Sequence, residues 1–333
     1  MSFRAIALPA YLALALGAGW FARLALSPDA KFAVQASRRY DFLERLRLER
    51  PDLILVGNSM LYRNVDRALL ERLLSVRVGR PIKVFYVSEG ATTSAWWYLA
   101  LKDQIARSGL SGVPVGVMIT ETQLTQIHTE LSARELWVFS KLVQPDDDAF
   151  FDKVGRRYRS SMLLYRRLPD RALVSRYILR LWIGAWRPWA PRHDDGGALV
   201  AARLDLAEPH PFDLFKAAAP EAKEHGFLSC LEPDLCAEKT LLPDMIRVMK
   251  PFRFFIIDSH RPPGTPNGGA TPAYREKLGR YLSENGVELI SLRGRPELDH
   301  AGLWIDPLHV NRAGELLNTR ILAEEIGVRR LLR

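Results

Sequence analysis

The sequence predicts an α/β fold in which a parallel sheet is covered by helices on both faces. Short apolar runs rich in β-formers alternate with segments of helical spacing over 52–119 and again over 252–326, the pattern of strand–helix–strand units. One such run stops at Gly57 and gives way to helical spacing through Leu61, Leu69, Leu70, Leu73 and Leu74. Chemically distinctive residues fall where strands end, at Ser59, at Gly90 and at 120–123. Open α/β sheets bind ligands at those carboxyl ends.

In chain order the spacing predicts strands over 52–56, 82–87 and 113–119, with helices over 61–75 and 92–107. After a gap come a strand over 252–257, a helix over 271–285, a strand over 287–291 and a last helix over 311–326. Residues 28–50 read as a charged linker helix, with apolar positions at Phe42, Leu43, Leu46 and Leu48. The core is thus expected in two halves, 51–125 and 251–333, flanking an insertion at 126–250 that supplies no strand of the sheet.

With 333 residues the chain has room for one large domain carrying an insertion, or for two small ones. A hydrophobic share of 48% and a charged share of 26% describe an ordinary globular chain with a substantial core. The 47 Lys and Arg outnumber the 38 Asp and Glu, giving +9. That charge serves solubility, or attraction to anionic lipid surfaces and anionic glycans. No nucleic-acid motif accompanies it, so nucleic acid is not an expected partner.

At the N-terminus one basic residue, Arg4, precedes an uncharged run from Ala5 to Phe21. A membrane-spanning helix needs roughly 17 to 25 residues, and continuing past Arg23, which can snorkel, to Leu26 makes the segment long enough. Small-x-small triplets such as Ala13-Leu-Ala15 lie inside the apolar run, not after it. The expectation is an uncleaved signal anchor over 1–27 in a bacterial inner membrane, with the bulk of the chain in the periplasm. The only two cysteines, Cys230 and Cys236, are six apart in a loop. They form a candidate disulfide for an oxidising compartment, and two cysteines alone make a poor zinc site.

Ser59 stands between a strand and a helix, where backbone N–H groups and the helix dipole favour a developing negative charge. This suits a nucleophile, and it suits equally the commoner role of helix N-cap. The stretch Gly302-Leu-Trp-Ile-Asp306-Pro-Leu-His309-Val-Asn311-Arg-Ala-Gly314 weighs for the nucleophile. Asp and His three apart in one loop can set the carboxylate on one ring nitrogen, leaving the other to take a proton from a serine hydroxyl. Pro307 biases Asp306 towards an extended conformation, so the pair is expected on a loop before a helix that begins near Asn311. Ser59, His309 and Asp306 are therefore the candidate triad.

These blocks resemble the SGNH (GDSL-type) hydrolases and acyltransferases. Gly57-Asn58-Ser59 is similar to the family's first block and Asp306-Pro-Leu-His309 to its last, while Val84-Phe-Tyr-Val-Ser-Glu-Gly90-Ala-Thr-Thr resembles the second. The resemblance implies a flavodoxin-like three-layer core and an oxyanion hole made by backbone N–H groups of Ser59 and Gly90. The third block departs: the family has Gly-x-Asn-Asp, whereas this chain has Thr120-Glu121-Thr122-Gln123. The missing asparagine is an oxyanion donor, worth on the order of 100- to 1000-fold in rate, for which Gln123 or Thr122 can substitute. A looser third block is also similar to the membrane-linked branch of the family that modifies cell-envelope polymers, including proteins of alginate O-acetylation and teichoic-acid D-alanylation.

Within the insertion, Arg156 to Arg192 is dense in arginine and aromatics, and 173–186 reads as an amphipathic helix. It serves either as a cap on the sheet or as a surface for the membrane or an integral membrane partner. The stretch 193–236, rich in Pro, Asp and Gly, reads as a loop. Asn58, Glu121 and His260 are candidate substrate contacts, although Asn58 and Asn311 fit equally as loop-holding hydrogen bonders and His260 as a plain loop histidine. Glu121 and His128 lack a spaced ligand set, so no metal site is expected, and no cofactor is implied. The expected function is serine-dependent O-acyl transfer to a cell-envelope glycan with an integral membrane acyl-donor partner. The alternatives are an SGNH-type esterase or deacetylase and a non-catalytic envelope-assembly protein.

Overall fold

The computed structural model describes residues 41–90, 92–120, 122–128, 131, 133–167, 227–262 and 271–332. The expected signal anchor, the amphipathic helix expected at 173–186 and Glu121 lie outside the described residues. Phe42–Arg166 and Pro220–Arg333 pack as one unit; the other unit, Met1–Asp41 with Arg167–Ala219, falls almost wholly outside them.

Seven strands form among the described residues: β1 Leu53–Gly57, β2 Val84–Ser88, β3 Pro114–Ile119, β4 Gln126–His128, β5 Phe227–Ser229, β6 Arg253–Asp258 and β7 Glu288–Ser291. Five of them make one parallel sheet in the order β2-β1-β3-β6-β7. Counted within that sheet the order is 2-1-3-4-5, a common doubly wound order whose switch point lies between β1 and β3. Strands β4 and β5 pair antiparallel in a separate small sheet.

The central strand explains the pattern. All five residues of β1 are buried, as a strand covered on both faces requires. Leu53 and Leu55 join a cluster with Leu70 and Leu74 of the helix Arg67–Val78 and Leu322 and Ile326 of the helix Arg312–Val328. Ile54 and Val56 face the other way by the strand's period of two. A second group of helical segments, Phe42–Glu49, Ser94–Leu99, Ala100–Ile105 and Leu242–Met249, packs together. The arrangement is compatible with a three-layer core.

Four local features differ from expectation. The helix expected over 61–75 is two helices, Ser59–Asn64 and Arg67–Val78, because Asp66 accepts the Leu69 N–H at 2.9 Å and caps a new start. The helix expected over 92–107 passes from α at Ser94–Leu99 to a π segment at Ala100–Ile105. Asp103 lies in that segment, its pKa pushed up to about 8 by burial and by the nearby Asp147 carboxylate. The described part of the expected linker, the helix Phe42–Glu49, belongs to the core: Phe42 and Leu46 are buried, and the Leu43 N–H donates to Gln104 Oε1 at 3.0 Å. Leu242–Met249, expected in the insertion, is the crossover helix into β6, with Leu242, Met245, Ile246 and Met249 buried. Parallel neighbours such as β3 and β6 need such a crossover, so the second half of the core starts before residue 250.

Cys230 and Cys236 form a disulfide, with Cα atoms 6.0 Å apart. Among the described residues no helix is long and apolar enough to cross a membrane.

Close packing of the sheet depends on Gly116 in β3, where an added Cβ would stand 2.5 Å from Phe255 Cε2 of β6 and 3.0 Å from Leu55 Cδ2 of β1. Overpacking of a core costs about 1–3 kcal/mol. Gly116→Ala is therefore expected to lower the urea unfolding free energy by about that amount, and an unchanged midpoint would contradict the packing.

Candidate active site

The site begins with the turn after β1. Asn58 caps the helix Ser59–Asn64: its Oδ1 accepts the Met60 N–H at 3.0 Å, and its Nδ2 donates to the Thr92 carbonyl at 3.3 Å. Asn58 is thus the cap and Ser59 the first helical residue, which leaves the Ser59 hydroxyl for another partner. Gly57 makes the turn tight, since a Cβ there would meet Leu61 Cβ at 2.9 Å.

That partner is His309. Its Nε2 lies 3.0 Å from Ser59 Oγ, and its Nδ1 lies 2.8 Å from Asp306 Oδ2 and 3.0 Å from Oδ1. A carboxylate accepts only, so Nδ1 carries the proton and Nε2 is the lone pair facing the serine hydroxyl. Asp306 Oδ1 also accepts the N–H groups of Leu308 at 2.7 Å and His309 at 2.9 Å. Partial burial pushes the Asp306 pKa up, but the His309 ring and the Leu308 N–H, with smaller contributions, outweigh it and hold the carboxyl below its usual range.

The loop carrying Asp306 and His309 is closed at its base by a bridge between Trp304 and Val310, and the Ile305 N–H donates to the His309 carbonyl at 2.9 Å. Asn311 caps the following helix, accepting the Gly314 N–H at 3.1 Å and donating to the Gly302 carbonyl at 2.6 Å.

Asn64 is the residue that sequence reasoning missed. Its Nδ2 donates to the Leu308 carbonyl at 2.9 Å and its Oδ1 accepts the Val310 N–H at 3.1 Å, so one amide grips the residues on either side of His309. The Asn64 carbonyl in turn accepts from Asn318 Nδ2 at 2.9 Å. In the sequence it is only an Asn five residues after Ser59; its burial and its reach to the loop at 308–310 appear in the structure alone.

The other expected site residues divide. Gly90 is buried two residues beyond β2, whose Ser88 is paired in register with Gly57. Gln123 folds onto its own turn, its Oε1 accepting the Thr120 N–H at 3.0 Å. Thr122, the other expected oxyanion donor, has its hydroxyl engaged with Ser229 Oγ at 2.7 Å. Asn58, expected as a substrate contact, is a buried cap with both ends of its amide bonded to the protein. His260 is buried as well: its Nε2 lies 3.1 Å from Asp299 Oδ1, out of line for a hydrogen bond, and its ring stands 5.8 Å from Trp304. It lies against Trp304, which forms the base of the Asp306–His309 loop with Val310. His128 is buried on β4 against Phe139, 3.5 Å from Ser94 Oγ. Among the described residues no group of His, Cys, Asp and Glu is placed to hold a metal ion.

No protein-family model and no curated protein matches this chain.

In chemical terms the arrangement can deprotonate a serine hydroxyl and hold the resulting imidazolium against a carboxylate. Asn64→Ala leaves the Val310 N–H without its acceptor, and a buried unsatisfied donor costs about 1–3 kcal/mol. It is expected to lower stability by that amount and to slow reaction of Ser59 with a fluorophosphonate probe. A reaction rate equal to wild type would mean that the Asn64 amide does not position His309.

His128 gives a separate pH prediction. Burial pushes its pKa from 6.5 down to about 4, against a smaller upward pull from Glu135. Between these values the unfolded chain binds a proton that the native state does not, so stability falls as pH falls from about 6.5 towards 4. The loss from this group is on the order of 2–3 kcal/mol. His128→Gln is expected to flatten the slope of stability against pH by up to about one proton. An unchanged slope would show that the imidazole is solvated.

Proposed function

We propose that this chain is a serine-dependent O-acyltransferase of the SGNH type, acting on a cell-envelope polysaccharide through an acyl-serine intermediate. The observation that carries the reading is the 3.0 Å contact of His309 Nε2 with Ser59 Oγ, with the Asp306 carboxylate on the far ring nitrogen at 2.8 Å. The placement of Ser59 after β1, Gly90 after β2 and Asp306 with His309 before the last helix supports the family assignment.

In the proposed mechanism His309 Nε2 takes the Ser59 proton as Oγ attacks an acyl carbonyl. The oxyanion accepts hydrogen bonds from the backbone N–H groups of Ser59 and Gly90, with the Gln123 amide nitrogen as the side-chain donor. The imidazolium, steadied by Asp306, returns its proton to the leaving oxygen. A sugar hydroxyl then gives its proton to His309, attacks the acyl-serine and departs acylated, which restores the Ser59 hydroxyl.

The Cys230–Cys236 disulfide supports an exported domain, since such bonds persist in oxidising compartments. Together with the expected anchor over 1–27, it supports a periplasmic domain tethered to the inner membrane beside an integral membrane acyl donor. The second reading is an esterase or deacetylase in which water replaces the sugar hydroxyl. It is favoured by one observation, that the three side chains meet without any contribution from a partner.

The test is fluorophosphonate labelling of the purified protein. Wild type is expected to label, Ser59→Ala and His309→Ala to lose the label, and Asp306→Asn to label more slowly by on the order of 10,000-fold. Labelling that survives Ser59→Ala would refute the assignment of the nucleophile. Absence of labelling in wild type beside a reacting control hydrolase would favour a non-catalytic envelope-assembly protein. Product analysis with an acyl donor and a glycan acceptor separates transfer from hydrolysis.

A further inference from the structure

A groove of about 600 Å³ opens beside the turn that carries Ser59. Tyr62 and Val65 line it, and Tyr62 stands about one helical turn beyond the nucleophile on the helix Ser59–Asn64. Ser88 lines it from β2, paired in register with Gly57, two residues before Ser59. The volume lies within the roughly 300–1,000 Å³ of ligand pockets. No step of the mechanism above uses this groove.

Its shape follows from the sheet. Strand β2 is an edge strand, and its residues alternate between β1 and the open side. The Leu53 N–H donates to the Lys83 carbonyl at 3.2 Å and the Glu89 N–H to the Gly57 carbonyl at 3.3 Å. The alternate residues Val84, Tyr86 and Ser88 therefore direct their backbone groups outward. Glu71 takes the first of these, its Oε1 accepting the Val84 N–H at 3.0 Å, which leaves Tyr86 and Ser88 at the free edge. The groove touches Arg45, 4.8 Å over the Phe85 ring on one face of β2, and Glu315 of the helix that packs on the other face with Tyr86. It therefore wraps that edge.

The lining decides the class of ligand. Val65 and Ala68 are its only aliphatic residues, too little apolar surface for an acyl chain. An added protein strand needs a run of free main-chain groups, and Glu71 leaves only the end of β2 free. The rest of the lining is tyrosine rings, the Ser88 hydroxyl and charged groups. Asp66 and Glu315 are both held by Arg312, at 2.7 and 2.5 Å. Arg67 is the less committed charge: it meets Glu71 Oε1 at 4.0 Å, an oxygen already engaged by the Val84 N–H. A sugar ring offers an apolar C–H face to an aromatic side chain, and around its rim hydroxyls that both donate and accept.

We propose that the groove around the edge of β2 is a glycan subsite, holding pyranose units of the acceptor chain beside the unit whose hydroxyl meets acyl-Ser59. The word acceptor rests on the acyl-transfer reading; the capacity to bind a sugar chain does not.

The experiment uses the full chain carrying Ser59→Ala, so that no turnover intervenes. Chitohexaose and hexagalacturonate are titrated against it by calorimetry. At least one is expected to bind, and which one tells a neutral N-acetylated chain from an acidic one. Adding Arg67→Gln is expected to weaken that binding roughly 10- to 100-fold, the worth of a hydrogen bond from a charged group. Ala68→Trp sets an indole in the groove from an exposed helical position and is expected to abolish binding, whereas Ala68→Ser leaves the groove open and is expected to keep it. Thermal unfolding without ligand confirms that each variant is folded.

Failure of both hexasaccharides to bind would overturn the subsite, as would binding undiminished in both Arg67→Gln and Ala68→Trp. A hexapeptide of alternating Thr and Val that binds instead, and is excluded by Ala68→Trp, would also overturn it and assign the edge to strand addition. Fluorophosphonate labelling of the Ser59 protein separates the two readings. Labelling without sugar binding removes the subsite alone, whereas Arg67-dependent sugar binding without labelling leaves a glycan-binding groove and removes the acyl-transfer reading.

Discussion

The site hangs on one buried amide. Ser59 and His309 are 250 residues apart in sequence, on segments that leave opposite parts of the sheet, and a hydrogen bond between two side chains is too weak to hold those segments in register. Asn64 does so instead, by donating to Leu308 and accepting from Val310. Because Asn64 ends the six-residue helix that Ser59 begins, Ser59 and the loop that carries His309 are positioned by a single short rigid piece. Asn58 completes the arrangement from the other end: by taking the cap it keeps the serine hydroxyl out of helix-capping competition. The last helix locks the same piece from outside, with Asn318 on the Asn64 carbonyl, Thr319 Oγ1 accepting the Asp66 N–H at 2.9 Å, and Arg312 paired with Asp66 at 2.7 Å.

Close approach of backbone is the companion constraint. Gly57 lets the chain turn from β1 straight into the Ser59 helix, and Gly314 lets the last helix come down on the loop's base. A Cβ at Gly314 would stand 2.6 Å from the Leu303 carbonyl and 2.7 Å from Val310 Cβ. Both glycines belong to the motifs that made the site visible in the sequence. Their role is steric: Gly57 lets the helix that carries Ser59 pack against the end of β1, and Gly314 lets the last helix pack against the base of the loop that carries His309.

How far the sequence could be read follows from what kind of force sets each feature. Strands β1, β2, β3, β6 and β7 were legible within a residue or two: β1 and β3 are buried throughout and read as uniform apolar runs, and the others keep an apolar stretch between turn residues although the edge strands β2 and β7 are only partly buried. Ser59, Asp306 and His309 were legible because each stands in a short local pattern, a Gly-Asn-Ser turn after a strand and an Asp and a His three apart before a helix. The Asn64 clamp was not, since it depends on Leu308 and Val310, distant in sequence; the break at Asp66 rests on a local cap of Leu69 that the apolar spacing overrode, and the π segment around Asp103 left no mark in the helical spacing. Leu242–Met249 shows the opposite failing. Its apolar spacing was present, but it was grouped with the loop-rich stretch before it and not with the strand it delivers.

The turn after β3 is tied to the segment that carries β5 and not left open. Gln123 closes it by accepting the Thr120 N–H, while the Thr122 hydroxyl meets Ser229 of β5 and the Thr125 hydroxyl meets Tyr274 at 2.8 Å. The Cys230 N–H then donates to the Thr125 carbonyl at 2.9 Å, which fastens the disulfide-bearing segment to the same turn. The turn at 120–123, β5 and the Cys230–Cys236 loop are thus held to one another by side-chain and backbone hydrogen bonds, so the local conformation of the turn depends on a segment about 107 residues away in sequence.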